Sequence, residues 1–337
     1  MKYPTVPKIS VIIPLYNKVP YIRRAIDSVL TQTIQNFEII IVNDGSTDGS
    51  EKIVKNYSDS RIQLFNQVNQ GVSVARNRGI TLANAELVAF LDADDEWKPE
   101  FLETVLQLHN KYPHSAVWGT EVIVERGGIY RRFHIKYPFD DEDGVIPSYF
   151  RYTACNSHPI SIIASLFRKE VLEECGGFNT NMIQHEDYDL LDRIAYNYDI
   201  AYSTVPMAVI HANASGFDTR IPKLRDDVQL PFVKYLSKIP EEIQKTHKHY
   251  DDVQLYLESL KILTADLRAY HNIHDAHRIL KEVKSPELKR LKYILYRDMH
   301  LRRLPKPIRL FLSNLWYFHI QKYKHPIELT KSNSREN

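Results

Sequence analysis

Short apolar runs of strand length alternate with helix-spaced ones through the first hundred residues. Residues 8–14 (KISVIIP) and 37–42 (FEIIIV) are β-branched runs, and residues 21–30 (YIRRAIDSVL) between them place their apolar side chains on one face of a helix. Strand, helix and strand in that order predict a parallel crossover. The pattern continues with a helix over 50–57, a short strand over 62–65, a helix over 72–83 and a strand over 87–91. Four strands alternating with helices predict an α/β fold: a Rossmann-like, mostly parallel sheet flanked by helices.

Further on, apolar and polar positions alternate over 116–137 around Gly127-Gly128, a hairpin signal. A strand over 161–167, a helix from Lys169 and a turn at Cys175-Gly176-Gly177-Phe178 follow. An acidic helix start, His185-Glu186-Asp187-Tyr188-Asp189, runs to about residue 198, and strands over 200–205 and 208–211 close this body. Beyond about residue 215 the chain reads as helices separated by Pro222, Pro240, Pro286 and Pro305. The expected division is an α/β body over 1–215 and a helical C-terminal region over 216–337.

The strand over 87–91 delivers Asp92, Ala93, Asp94 and Asp95 to its carboxyl end, where open α/β sheets bind ligands. Side chains two apart on extended backbone point the same way. Two carboxylates so placed repel unless a hard cation or a ligand hydroxyl network offsets the charge, and Mg²⁺ or Mn²⁺ suits such oxygens, shared with phosphate. The plainer reading is a solvated acidic turn before a helix that starts near Lys98-Pro99-Glu100.

Composition adds the compartment and an asymmetry. The chain has 337 residues, with the balance of an ordinary globular protein, and its two cysteines, Cys155 and Cys175, are too few for a disulfide framework or a zinc site. A reducing, cytoplasmic setting is expected. Residues 1–7 lack the basic and apolar regions of a secretion signal, and no run of about 18 apolar residues predicts a membrane span. From residue 281 onward there are 14 basic residues against 5 acidic, so the body before it is net acidic. An aromatic, basic stretch at 308–323 (IRLFLSNLWYFHIQKY) is too short to span a bilayer but suits its interface, which predicts peripheral attachment to an anionic inner membrane face. A helix packed on the body is the competing reading; nucleic acid is not the expected partner.

Individual residues carry candidate chemistry. Pro14 ends the first strand, so Tyr16 can offer a flat face to a nucleobase across the sheet edge. Asp44, an acceptor-only carboxylate at the end of the second strand, can take an N–H from a uracil-like base, whereas Asp48 reads as a helix cap. Arg76, in the helix after Gly71, can brace a base and a carboxylate through its fork of donors, or simply face solvent. His211 is either a metal or phosphate contact or a structural histidine. His158 is a weaker candidate for an acceptor pocket. The acids from Glu186 to Asp189 complement a helix dipole, which also favours an ionised Asp187.

The order of segments resembles a known family. Ser10-Val11-Ile12-Ile13-Pro14-Leu15-Tyr16-Asn17, Ile41-Val42-Asn43-Asp44-Gly45-Ser46-Thr47-Asp48, Asn69-Gln70-Gly71 with Ala75-Arg76-Asn77-x-Gly79, Phe90-Leu91-Asp92-Ala93-Asp94-Asp95, Gly176-Gly177-Phe178 and Glu186-Asp187-Tyr188-Asp189-Leu190 look like the family 2 glycosyltransferases. The likeness covers about the first 215 residues. It implies a GT-A fold, an inverting transfer from a nucleotide-sugar, and a divalent metal, Mn²⁺ or Mg²⁺. By the same resemblance Pro14, Tyr16, Asp44, Arg76, Asp92 and Ala93 line the donor, Asp92 reaching the ribose. Asp94 holds the metal, with His211 a second candidate ligand, and Asp187 is the general base.

One departure is Asn43, where the family commonly has Asp. The Gln-x-x-Arg-Trp signature of processive synthases is missing, so transfer of one sugar, from a UDP-sugar to a glycan or lipid-linked saccharide in cell-surface polysaccharide synthesis, is the implied reaction. Two rival readings stand beside it. One is an inactive nucleotide-sugar-binding protein; the other is a nucleotidyltransferase that makes the activated sugar, although its Gly-rich phosphate loop is missing after the first strand.

Overall fold

The computed structural model describes residues 6–132, 139, 141–155, 158, 160–182, 185–214, 231–269, 273–286 and 288. Strand β1 (Ile9–Leu15), helix α1 (Ile22–Leu30), β2 (Phe37–Asp44), α2 (Ser50–Lys55), β3 (Ile62–Gln67), α3 (Val72–Leu82) and β4 (Leu87–Phe90) follow the apolar periodicity. Every residue of β1, β2 and β4 is buried, as strands covered by helices on both faces require. β1 lies between β2 and β4 and runs parallel to both, with Ile12 opposite Ile40 and Phe90.

Beyond β4 the sheet becomes mixed. β5 (Glu96–Trp97), α4 (Phe101–Lys111), β6 (Val117–Arg126), β7 (Ile129–Arg132), β8 (Asp143–Val145), α5 (Tyr149–Cys155), β9 (Ser165–Arg168), α6 (Lys169–Glu174), α7 (Glu186–Asn197) and β10 (Ile200–His211) complete the body. The sheet order is β3-β2-β1-β4-β9-β6-β10-β5, with β7 on β6 and β8 on β10. β9 is antiparallel to both β4 and β6, while β6 and β10 are parallel. The two strands expected over 200–211 are one: β10 shifts register around Pro206, which has no N–H to give to a ladder and so marks a bulge rather than an end. The expected hairpin is β6–β7, and the strand expected over 161–167 opens with a 3₁₀ turn at Ile162–Ala164 before β9.

The core continues from the sheet into the C-terminal helices. α8 (Pro231–Leu236), α9 (Glu241–Lys245), α10 (Tyr250–Ala269) and α11 (Ile273–Glu282) follow; of the expected prolines only Pro240 separates two of these helices. Phe150 of α5 stacks on Phe232 with ring centroids 5.3 Å apart, and Tyr256 of α10 donates to the buried Asp192 of α7 at 2.6 Å. Asp252 accepts from Ser148 at 2.5 Å and from Arg151 at 2.8 Å. Among the described residues no helix is long and apolar enough to cross a membrane. The aromatic basic segment 308–323 and Pro222 and Pro305 lie outside the described residues.

α3 approaches β1 through a residue without a side chain. A Cβ on Gly79 would stand 2.4 Å from Ile12 Cγ2, and Ile12 is fully buried. Alanine is the better helix former by about 1 kcal/mol, but overpacking a closed core costs about 1–3 kcal/mol, and this overlap is severe. Gly79→Ala is therefore expected to lower stability; a denaturation midpoint equal to or above that of the wild type would contradict this packing.

Candidate active site

The site is assembled from loops at the carboxyl ends of β1, β2 and β4 and from the start of α7. Two loops are latched first. The Asn17 N–H donates to Ser46 Oγ at 3.1 Å, Asn17 Oδ1 accepts from the Thr47 N–H at 2.8 Å, and Val19 N–H donates to Asp48 at 2.9 Å. Asp48, expected as the helix cap, stands one residue before the N-cap Gly49 and also accepts from the Ser50 N–H at the start of α2. Burial raises its pKa, but these hydrogen bonds outweigh that and leave it lowered. Asn43 turns its amide into the same corner: Oδ1 accepts from the Ser46 N–H at 3.1 Å and Nδ2 donates to Asn66 at 2.9 Å. An aspartate could not make that second bond, so the departure at this position has a local structural use.

Tyr16 projects from the first loop with 48 % of its surface exposed, while Pro14 lies within β1 beyond the last residue that β4 pairs. Asp44 is buried and its carboxylate accepts from Gln67 Nε2 at 2.8 Å, from the Gln70 N–H at 2.9 Å and from the Gly71 N–H at 2.8 Å. Those bonds hold the loop that opens α3. A base contact expected of Asp44 has to share a carboxylate that is already heavily engaged.

The acidic segment is a turn rather than extended backbone. β4 ends at Phe90, and the Asp95 N–H donates to the Asp92 carbonyl at 3.0 Å, so Asp92 and Asp94 do not share a direction as alternation on a strand would give. Their partners differ accordingly: Asp92 Oδ1 meets Arg76 Nη2 at 2.7 Å and Asp94 Oδ2 meets Lys18 Nζ at 2.6 Å. Arg24 donates to the Asp94 carbonyl. Ala93 is buried between them. Burial and the charges of Asp92 and Asp94 push the Asp95 carboxyl well above its usual value, while Oδ1 accepts from the His211 N–H at 2.9 Å.

Arg76 is the centre of the arrangement. It is buried, with its guanidinium 5.2 Å from the Phe178 ring, and its second nitrogen, Nη1, donates to Glu186 at 2.9 Å. Burial works against its charge, but Asp92 and Glu186, with Asp187 beyond them, outweigh that and hold the guanidinium firmly protonated. One side chain thus joins the β4 turn to the start of α7. Asn77 reinforces the junction, with Oδ1 accepting from the Phe178 N–H and Nδ2 donating to the Phe178 carbonyl, both at 2.8 Å. A Cβ on Gly177 (φ +65°) would strike Asn77 Oδ1 at 2.5 Å. Arg193 completes the brace: it pairs with Asp189 at 2.7 Å and donates to the Cys175 carbonyl and, at 2.8 Å, to the Gly177 carbonyl. Asp189 is therefore bound within α7 to a scaffold residue.

Asp187 lies one residue into α7, half-buried, with Oδ1 accepting from the Tyr188 N–H at 2.9 Å. The helix dipole was expected to favour its charge, yet its pKa is raised to about 6. Burial is the main cause and Glu186 adds to it, with Arg76 opposing. Behind it, Tyr188 stacks on His158 at 3.7 Å and lies 5.3 Å from the ring of His185, which takes a left-handed backbone (φ 63°). His158 Nδ1 contacts Tyr149 Oη at 3.1 Å, and burial, with His185 adding to it, lowers its pKa to about 3, so it is neutral.

His211 stands at the end of β10 with Nδ1 3.1 Å from Glu125 and Nε2 3.2 Å from Glu96. Both ring nitrogens are engaged by carboxylates, so a metal contact from His211 would require one of them to leave. Lys18 and Glu186 are the contacts that sequence reasoning did not assign. Glu186 stands in a motif but reads as an ordinary first-turn acid, and nothing in the sequence marks the lysine after Asn17.

A parallel β1–β4 core, an acidic turn at the carboxyl end of β4 and a second acidic segment tied to it across the sheet edge define the GT-A glycosyltransferase class. S. aureus TarS 1–349 in complex with UDP-GlcNAc has this fold, with a TM-score of 0.58 at 20% identity over 89% of this chain and 82% of that one. Residues 10–176 match the model of Glycosyl transferase family 2. The uncharacterized glycosyltransferase YibD of Escherichia coli is 50% identical over 103 residues, 30% of each chain. An uncharacterized glycosyltransferase of Rickettsia felis is 28% identical over 293 residues, 82% of this chain and 46% of its own. The chain thus spans 30% and 46% of the lengths of these two relatives.

Proposed function

We propose that this chain moves one sugar from a nucleotide-sugar to an acceptor hydroxyl with inversion, Asp187 acting as general base and Asp94 as ligand of a divalent cation, Mn²⁺ or Mg²⁺. The observation that carries the reading is Arg76, whose two terminal nitrogens join Asp92 of the acidic turn to Glu186, the residue before Asp187. The donor set fits the cation: Asp94 presents hard carboxylate oxygen and already has a positive group, the Lys18 ammonium, against it. Such cations take one or two carboxylates from the protein and the rest of their ligands from phosphate and water. When bound, the cation would stabilise the charge of the leaving diphosphate.

The residues of the chain supply the remaining functions. Tyr16, half-exposed beside the latched loops, offers its ring to the base, and Asp92 is placed for the ribose while Arg76 fixes its rotamer. Asp187 takes the acceptor proton: a carboxylate with a pKa of about 6 is mostly ionised at neutral pH and still basic enough to accept a proton in the transition state. An acceptor saccharide, free or lipid-linked, would approach over the His185 and Tyr188 rings, whose stack beside Asp187 provides an aromatic surface of the kind sugars pack against.

The test is release of nucleotide from a set of UDP-, GDP- and dTDP-sugars with and without Mn²⁺. UDP-GlcNAc is the first to try because the similarly folded TarS was crystallised with it. Mn²⁺-dependent release that is lost in Asp94→Asn is the expected result. Release that is indifferent to both Mn²⁺ and Asp94 would end the metal assignment, and pyrophosphate release from a nucleoside triphosphate with a sugar phosphate would replace the reading with a nucleotidyltransferase.

A further inference from the structure

Lys18 is held in place by more than its own side chain. Its N–H donates to Ser50 Oγ at 2.9 Å, and its neighbours Asn17 and Val19 are fixed by Ser46 and Asp48. From that anchored loop Nζ reaches Asp94 Oδ2 at 2.6 Å and the Ala214 carbonyl at 3.2 Å. The two side chains are only 24% and 8% exposed, so this is no solvated surface pair. Asp92 has its own cation in Arg76. Asp92 and Asp94 therefore each come with a built-in positive partner.

A divalent ion on Asp94 competes with the ammonium on Oδ2, because two cations on one carboxylate repel each other even when each takes its own oxygen. Losing an ionic hydrogen bond of this kind weakens ion binding by about tenfold, or about 1.4 kcal/mol. A nucleoside diphosphate arriving with the ion reverses the balance, since its phosphate oxygens give the displaced ammonium a new anionic partner. We propose that Lys18 is an internal counterion of Asp94 that yields this carboxylate to the divalent cation and passes to the diphosphate of the donor. Cation and nucleotide then bind weakly alone and tightly together. Because such coupling is reciprocal, each raises the affinity of the other by the same factor. The proposal rests on Asp94 being the metal ligand.

The experiment is a Mn²⁺ titration of the full chain, with free ion read by electron paramagnetic resonance, with and without UDP. It compares wild type, Lys18→Met, Lys18→Arg and Asp94→Asn, each checked for native circular dichroism, with Lys18→Gln in reserve should the Met variant misfold. Lys18→Met is expected to bind Mn²⁺ alone about tenfold more tightly than wild type and to gain correspondingly less from UDP. Lys18→Arg is expected to behave as wild type, and Asp94→Asn to lose the ion. If Lys18→Met matches wild type while Asp94→Asn loses Mn²⁺, the counterion role fails and the metal assignment stands. If Asp94→Asn keeps its Mn²⁺ affinity, the metal assignment fails and takes the counterion with it.

Discussion

Asp187→Asn is expected to lower turnover by about 10²-fold or more, the usual scale for removing a general base, while leaving donor binding intact. It should also make the protein more stable. In the folded chain the carboxyl has a pKa of about 6, above the ordinary value of 3.8, so the fold prefers the neutral form. Below the unfolded value both states are protonated and there is no difference. As pH rises from about 4 to 6 the unfolded chain ionises more readily than the folded one, and the wild type loses stability. Above that range the penalty is complete, about 1–3 kcal/mol after allowance for partial solvent contact. Asn removes the penalty and can still accept from the Tyr188 N–H. Thermal melts at pH 4 and pH 7.5 should therefore coincide at the lower pH and separate at the higher one, Asn being the more stable. The wild-type rate should fall as pH drops through about 6. A variant with near-normal turnover, or a rate flat down to pH 5, would remove Asp187 from the role of base.

Arg76→Met is expected to have the largest effect on stability. It leaves Glu186, 12% exposed at its side chain, and Asp92 without their shared cation, and breaking a buried ion pair from one side costs about 3–5 kcal/mol. For a chain of this size that corresponds to a fall of roughly 6–20 °C in melting temperature, scaling about 2–4 °C per kcal/mol. Arg76→Lys keeps a charge but not the fork, so it can serve one carboxylate and not both; an intermediate melting temperature is expected. Equal melting temperatures for wild type and Arg76→Met would show that the guanidinium is not what joins the β4 turn to α7.

The parallel half of the sheet is legible because β1, β2 and β4 are dominated by buried apolar residues, broken near their starts by the hydrogen-bonded pair Ser10 and Glu38, between amphipathic helices. The second half is less so. The short β5 carries Glu96 and Trp97, too little for a periodic signal, and Pro206 reads as a boundary although it only bulges β10. In the site, residue types announced chemistry but not partnership. The fork of Arg76 predicts a brace for a base and a carboxylate, and in the fold its two terminal nitrogens hold two carboxylates. Asp44 has the residue type for a base contact, and in the fold its carboxylate holds the Gln70 and Gly71 N–H groups. The alternation of Asp92 and Asp94 suggested a shared direction that a single backbone hydrogen bond from Asp95 abolishes. Lys18 left no trace, because the meaning of a lone lysine depends on which carboxylate folds onto it from 76 residues away.

The Tyr149–Asp192–Tyr256 contacts bear on how this protein can be shortened. Asp192 is sealed by phenols from both sides, one of them from α10. A fragment stopping at residue 215, where the family motifs run out, would open that carboxyl to water and strip the cover from Phe150. Such a piece should aggregate when expressed, and the smallest workable catalytic unit extends at least through α10.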